Sequence, residues 1–160
     1  MEELSRLESL YISLSRTLRE LLELDNEIRG VILVNKAGQL IDYSISSDFE
    51  KQVKDNEFHL EGLAATIAAM FGATIAAGLD FKFGDVATVL AEFSFGRVVL
   101  VPCGYDAILA LVTTNSAALG SIRILARKYA EKISQIIPSL IESIEEEIRN
   151  FAKKESLQRS

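Results

Sequence analysis

Few side chains in this sequence belong to the types that carry catalysis or bind metals. The 160 residues include a single histidine, His59, and a single cysteine, Cys103. A histidine-based metal site or a nucleophile–histidine set therefore lacks the members it needs. His59 precedes a long apolar stretch, and we interpret it as a surface residue at a helix start. Cys103 lies in an apolar run without a nearby base, which predicts a buried, unreactive thiol.

Neither the glycines nor the acidic residues form a catalytic pattern. Gly78, Gly84 and Gly96 are not followed by the Gly-Lys-Ser/Thr that completes a phosphate-binding loop. The one evident acidic cluster, residues 145–147, lies on the polar side of a predicted helix. The sequence therefore predicts a protein that is not an enzyme and has no catalytic residue, metal site or cofactor.

Composition and charge indicate one soluble domain, or one domain with helical extensions. The net charge is −6 and the basic residues are scattered, whereas a nucleic-acid-binding surface needs a basic stripe. No nucleic-acid partner is therefore predicted. Met1 is followed by two glutamates rather than by a basic and then apolar run, so no signal peptide is predicted and the expected location is the cytoplasm.

Residues 62–79 are the stretch around which the other elements are arranged. They carry no charge and lie between Glu61 and Asp80. On a helix of about 3.6 residues per turn, the large side chains gather on one side and the small ones on the other. The large ones are Leu63, Ile67, Met70, Phe71 and Ile75, with Leu60 just upstream of the stretch. The small ones are Gly62, Ala65, Ala69, Gly72, Ala73 and Ala76.

Both sides of this helix are predicted to be buried, because the small side lacks the polar residues of a solvent-facing helix. Small residues let another helix approach closely, and no other segment has a matching small side. The predicted partner is therefore the same helix in a second copy of the chain. Two alternatives are a membrane span, which the acidic flanks argue against, and a helix inside one large core, which needs a longer chain.

The elements before this helix are predicted from changes in hydrophobic period. Residues 2–28 have leucines and one tyrosine at alternating spacings of three and four, which predicts a helix laid on a sheet or a coiled coil. Residues 30–34 and 40–45 then predict a β-hairpin, with Gly38 taking a positive φ in the turn. Residues 46–58 are polar and are predicted to be a connection, at whose end Asp55 or Asn56 caps the next helix.

Three strands and a helix are predicted after the helix of residues 62–79. Residues 86–95, 97–103 and 107–114 read as an antiparallel meander, in which Pro102 marks the end of pairing. Asn115 or Ser116 is predicted to cap a long helix, which Pro138 should kink or end. A further helical segment follows Pro138, and the tail from Lys153 is expected to fray.

The order and local sequence of these elements resemble the Roadblock / dynein light chain domain, closest to the bacterial gliding-motility (Mgl-type) GTPase regulators. The similarity rests on Arg29-Gly30-Val31-Ile32-Leu33-Val34-Asn35-Lys36-Ala37-Gly38, on the Ala-rich middle helix, and on Leu119-Gly120-Ser121-Ile122-Arg123. It covers about residues 15 to 135. The chain is accordingly divided into a Roadblock-like domain, residues 1–137, and a C-terminal helical extension, residues 138–160.

This resemblance implies an α+β, profilin-like fold: an α/β/α sandwich around a five-stranded antiparallel sheet in the order 2-1-5-4-3. The middle helix covers one face and the terminal helices cover the other. It also implies a homodimer in which the middle helices pair and the third strands join edge to edge. The interface residues expected from both arguments are Ala65, Ala69, Gly72, Ala73, Ala76, Thr88, Leu90 and Glu92.

The function implied is that of a non-enzymatic, homodimeric regulator or scaffold for a small Ras-like GTPase. Arg97 and Arg123 are the candidate contacts for that partner. The alternative is a ligand-sensing profilin-like module, which would need a cavity between helix and sheet.

Overall fold

The computed structural model describes residues 2–55, 60–104 and 106–159, with the side chains of residues 2–4 and 53–55 left out. Three predictions fall outside the described residues. They concern the two candidate caps of the middle helix, the Asp55 side chain and Asn56, and also His59. The elements are α1 (Glu2–Glu23), β1 (Ile28–Asn35), β2 (Leu40–Ile45), α2 (Ser47–Asp55), α3 (Leu60–Asp80), β3 (Val89–Phe93), β4 (Gly96–Pro102), β5 (Ala107–Thr113) and α4 (Leu119–Arg159).

The five strands form one antiparallel sheet in the order β2-β1-β5-β4-β3, which confirms the predicted topology. β1 and β5 lie inside the sheet and are apolar on both faces, as expected for strands covered on both sides. β2 and β3 are the two edges. Pro102 is the last residue of β4, where its missing N–H interrupts no further pairing.

Two hydrophobic cores lie on opposite faces of the sheet, because successive side chains of a strand point to opposite sides. Val31 and Leu33 face the core under α1 and α4, together with Leu14, Leu18 and other apolar residues of those helices. Ile32 faces the core under α3. The layers are therefore α/β/α, with the middle helix on one face and the terminal helices on the other, as predicted.

The turn between β1 and β2 has the predicted glycine conformation. Gly38 has a φ of 89°, a region that side chains with a Cβ rarely adopt. A Cβ at this position would also lie 3.2 Å from the Cα of Ala65 in α3. The glycine is needed both for the turn and for the close approach of the hairpin to α3.

Two predictions in the first part of the chain are wrong in their boundaries. The first helix ends at Glu23 rather than at residue 28, because Asp25 forms a local turn in which its Oδ1 accepts the N–H of Glu27 at 2.8 Å. The polar connection contains a helix, α2, whose start is capped by Ser46: its Oγ accepts the N–H of Phe49 at 3.3 Å.

The third strand begins at Val89, three residues later than predicted. α3 ends in a Schellman motif. The N–H of Phe83 donates to the carbonyl of Gly78, and the N–H of Lys82 donates to the carbonyl of Leu79. Lys82 has a φ of 58°, the left-handed conformation that such helix ends require. The following residues reach the sheet edge without pairing to β4.

The predicted caps of α4 are also wrong. The helix begins at Leu119, three residues beyond Ser116. Asn115 instead donates its Nδ2 hydrogen to the carbonyl of Ser94 at 2.7 Å and so holds the β3–β4 turn. The sequence pattern did not separate these roles, because a side-chain amide can satisfy a distant backbone group as well as a nearby helix end.

α4 does not end at Pro138, and it includes the tail that we expected to fray. The helix is continuous from Leu119 to Arg159. Proline removes one backbone hydrogen bond of the helix. The burial of Ile137 and Leu140 in the core, on either side of Pro138, offsets this loss. The division of the chain after residue 137 stays a prediction.

Candidate dimerisation and partner-binding surface

The α3 helix presents the predicted division into a large and a small side. Ala64, Ile67 and Phe71 are buried against the sheet. The small residues Ala65, Ala69, Gly72, Ala73 and Ala76 are all exposed in the protomer. These five residues have no charged or hydrogen-bonding side chain, so the protomer leaves an apolar helix face open to solvent. We call these five residues the small face.

Two further apolar residues extend the small face towards the end of α3. Leu79 lies one turn beyond Ala76 and is 72% exposed, and Phe83 follows it and is 81% exposed. Phe83 stacks on Phe81 with ring centroids 5.4 Å apart. The sequence analysis did not select these residues, although the spacing of Leu79 from Ala76 continues the helical stripe and could have indicated Leu79.

α3 is also long and apolar enough to cross a membrane by length and composition alone, with a mean hydropathy of 1.7. Core helices of soluble proteins meet the same two criteria. In this chain the large side chains of α3 pack on the sheet. Only 22% of the apolar window is buried within the protomer, because the small face of the helix is exposed.

The predicted interface residues of β3 lie at the sheet edge but on the opposite side from α3. Leu90 is paired with Val99, whose side chain is buried in the α1/α4 core, and Glu92 shares that side by alternation. Thr88 lies just before β3, and its Oγ1 accepts a hydrogen bond from Arg127 of α4. Val89 and Ala91 point towards the α3 side. The structure therefore places the small face on one side of the sheet and Leu90 and Glu92 on the other side, at the β3 edge.

The two candidate arginines have different environments. Arg97 is held inside its own chain: its Nη1 donates to the carbonyl of Ala117 at 2.7 Å, and its Nε lies 3.5 Å from Glu92 Oε1. Its side chain is 18% exposed, which favours a structural role. Arg123 is exposed on α4, one turn before Arg127, and is available to a partner.

A cavity of about 310 Å³ lies at the β3 edge. We call it the edge cavity. It is lined by the end of α3, the segment leading to β3, and two arginines of α4: Thr74, Ala77, Gly78, Phe81, Phe83, Gly84, Asp85, Val86, Ala87, Thr88, Arg123 and Arg127. Arg127 Nη2 donates to Thr88 Oγ1 at 3.4 Å. The edge cavity thus joins an apolar wall to a basic mouth.

Cys103 is buried, as predicted from the sequence. Its side chain is 1% exposed, and its Sγ–H donates to the carbonyl of Ala130 at 3.2 Å. Burial disfavours the thiolate and raises the pKa of Cys103 from 9.0 to about 12. The thiol is therefore protonated at neutral pH and is shielded from reagents.

We expect Cys103 to react about a hundredfold or more slowly with a chromogenic disulfide reagent in the folded protein than in denaturant, because the thiolate is the reactive form. The rate is measured by thiol release at one pH in both conditions. An exposed Ser156→Cys variant is the control and should react quickly when folded. Equal folded and denatured rates for Cys103 would place the thiol at the surface.

The described residues contain no group of three or more His, Cys, Asp or Glu side chains arranged to hold a metal ion. The acidic residues 145–147 lie along α4. The geometry that remains is a set of contact surfaces: the small face, the β3 edge and the basic mouth of the edge cavity.

Comparison with known proteins identifies the family. A sequence model of the Roadblock/LC7 domain matches residues 14–113, and the chain belongs to this family. The uncharacterized protein MJ1340 of Methanocaldococcus jannaschii is 28% identical over 117 residues, which cover 72% of this chain and 94% of that protein.

Two solved structures of MglB have the same fold. MglB in a tetrameric arrangement superposes with a TM-score of 0.72 at 19% identity, covering 82% of this chain and 92% of that one. MglB of Myxococcus xanthus superposes with a TM-score of 0.69 at 19% identity, covering 81% and 91%.

Proposed function

We propose that this protein is a non-enzymatic, cytoplasmic homodimer that binds a small Ras-like GTPase and regulates or scaffolds it. The observation that carries the proposal is the exposed small face of α3 in a chain of the Roadblock/LC7 family. The resemblance of this chain to Mgl-type GTPase regulators supports the choice of partner. A solved structure of the same fold is described as MglB with a tetrameric arrangement, which supports the proposal of self-association.

Physical considerations support the dimer. The small face, Leu79 and the β3 edge together leave apolar helix surface and unpaired strand backbone in solvent. Exposed strand edges tend to pair with other strands unless they are covered, and an uncharged helix face of this length is rare on a monomer. A second copy would cover both features with one symmetric contact.

The proposed action on the GTPase is positioning. Hydrolysis by Ras-like proteins depends on the placement of the attacking water and of charge near the γ-phosphate. A partner that binds one nucleotide state more tightly shifts the switch segments towards that state without supplying a catalytic group. The exposed Arg123 is the one candidate in the predicted pair for direct charge donation, since Arg97 is held by Ala117 and Glu92.

The test is single-turnover GTP hydrolysis by Ras-like GTPases from the same cell, with and without this protein. We expect one of them to bind in a nucleotide-dependent way and to hydrolyse GTP at a changed rate. The protein alone should hydrolyse nothing. Failure of every candidate to bind in either nucleotide state would contradict the proposal and favour the ligand-sensing alternative.

Variants separate positioning from charge donation. With Arg123→Ala we expect binding and the rate effect to persist, and Lys128→Ala on the same helix is the matched control. A loss of roughly a thousandfold in stimulated rate with binding retained would instead identify Arg123 as a donated arginine. Arg97→Ala requires a check of folding, because it also removes a hydrogen bond to Ala117.

A further inference from the structure

We propose that the edge cavity is a binding site for a small anionic aromatic molecule. Phe81 and Phe83 pack on the ring of the ligand. Arg123 and Arg127 bind its acid group. Among the residues that line the cavity, only Thr88 belongs to the predicted interface set. The inference therefore requires neither the proposed homodimer nor a GTPase.

The apolar wall of the edge cavity is fixed by the chain that follows α3. The N–H of Phe83 donates to the carbonyl of Gly78 at 2.8 Å, which turns this segment back onto the helix end. A Cβ at Gly78 would lie only 2.7 Å from the carbonyl oxygen of Gly84, so the close approach of the two segments needs a glycine. The turn holds the rings of Phe81 and Phe83 stacked, with their centroids 5.4 Å apart.

This aromatic pair offers an unfilled contact for another ring. Phe81 is 67% exposed and Phe83 is 81% exposed. A third aromatic ring can pack on such a pair in an offset or edge-to-face arrangement. A cavity of roughly 150 Å³ binds benzene. The edge cavity, of about 310 Å³, therefore has room for one or two fused rings and an acid group, and it is small for a segment of peptide.

The basic mouth supplies the groups that an acid would bind. Arg123 and Arg127 are exposed one turn apart on α4, and neither forms an ion pair with a residue that the structure describes. Like charges at this spacing repel each other. A carboxylate, sulfonate or phosphate would relieve this repulsion and would match the planar guanidinium with paired hydrogen bonds. Thr88 Oγ1 accepts from Arg127 at 3.4 Å and can also donate to the ligand.

The ligand needs both an acid and a ring. The chain as a whole disfavours anions, since its net charge is −6, but the described lining has two arginines and a single carboxylate, Asp85. An anion without a ring would gain only exposed charge contacts, which solvent and salt weaken. A neutral ring would leave the two guanidinium groups without an acid. The geometry therefore favours a molecule that carries both groups.

Two probes of nearly equal shape test this requirement. Naphthoate carries the acid, and naphthamide is its neutral counterpart. We expect naphthoate to bind saturably to the full chain, with one molecule per chain, and naphthamide to bind roughly tenfold or more weakly, because charge-assisted hydrogen bonds are about twice as strong as neutral ones. Acetate, which has no ring, should not displace naphthoate at equal concentration. Equilibrium dialysis with naphthalene absorbance is the measurement.

Substitutions at exposed positions assign the two halves of the site. Arg123→Gln and Arg127→Gln should each weaken naphthoate binding by roughly tenfold or more and should leave naphthamide nearly unchanged. Lys128→Gln, on the same helix, is the matched control and should change neither. Phe81→Ala should weaken both probes, whereas Phe151→Ala, near the end of α4, should weaken neither. All five side chains are exposed, so the core stays intact.

The outcomes separate ligand binding from other roles of these residues. Selective loss of naphthoate in the arginine variants, together with loss of both probes in Phe81→Ala, supports the inference. Equal affinity for the two probes, no saturable binding, or naphthoate binding that survives both arginine substitutions overturns it. A Phe81→Ala variant that changes the mass in size exclusion but not the probe affinity assigns the aromatic pair to self-association and also overturns it. The GTPase proposal is untouched by any of these results.

Discussion

Replacement of Ala69 by arginine is expected to convert the dimer into monomers or aggregates. Ala69 is central in the small face and is exposed in the protomer, so the protomer itself can accept the larger side chain. In the dimer each arginine would be buried without a partner against the other subunit, which should cost about 3–5 kcal/mol. Light scattering after size exclusion measures the change in mass.

The matched control is Ala152→Arg, an equal substitution at an exposed position near the end of α4, which should remain a dimer. Far-ultraviolet circular dichroism should show both variants folded. A parent protein that runs as a monomer at tens of micromolar, or an Ala69→Arg variant that stays dimeric, would contradict the role of the small face.

Removal of residues 138–160 is expected to destabilise the protein strongly, although the sequence alone suggested that they form an extension. Leu140 and Ser143 are buried, and Ile144 packs against the core formed with α1. At roughly 1.5–3 kcal/mol for each large apolar side chain, their loss should cost about 3–5 kcal/mol. Denaturant unfolding at one protein concentration is the measurement, because dimer stability depends on concentration.

A shorter truncation, removing residues 145–160, is the control. Most of these residues are exposed on the last turns of α4, and their loss should change the unfolding free energy by less than about 1 kcal/mol. A protein without residues 138–160 that is as stable as the full chain would show that the folded unit ends at residue 137. A large effect of the shorter truncation would give the last turns a role that their exposure does not suggest.

Much of the fold could be predicted from local sequence because its strands and helices have clear periods. The meander and the amphipathic α3 are examples, since the period of apolar residues sets which face is buried. Three of the wrong predictions have one cause in common. Asp25, Ser46 and Asn115 are polar residues whose hydrogen bonds to particular backbone groups decide where elements end, and a sequence pattern does not specify the partner.

Only part of the candidate site could be predicted from the sequence. The small face follows from residue size along one helix, so it was found. Leu79, the last residue of the predicted stretch, and Phe83, which lies beyond it, were missed because their exposure depends on how the helix leaves the sheet. The environments of Arg97 and Arg123 could not be distinguished, since both look like isolated surface arginines in the sequence.

The sequence by itself determined the succession of helices and strands and the small side of α3, because these depend on apolar spacing and on residue size within single elements, whereas the strand order was implied by the resemblance to the Roadblock family. Only the tertiary structure decided that Arg97 bonds to the carbonyl of Ala117, that Arg123 and Arg127 border a cavity at the β3 edge, and that α4 continues through Pro138. These features join residues that are distant in the chain. Their formation depends on the packing of whole elements, which fixes distances and burial that no local pattern encodes.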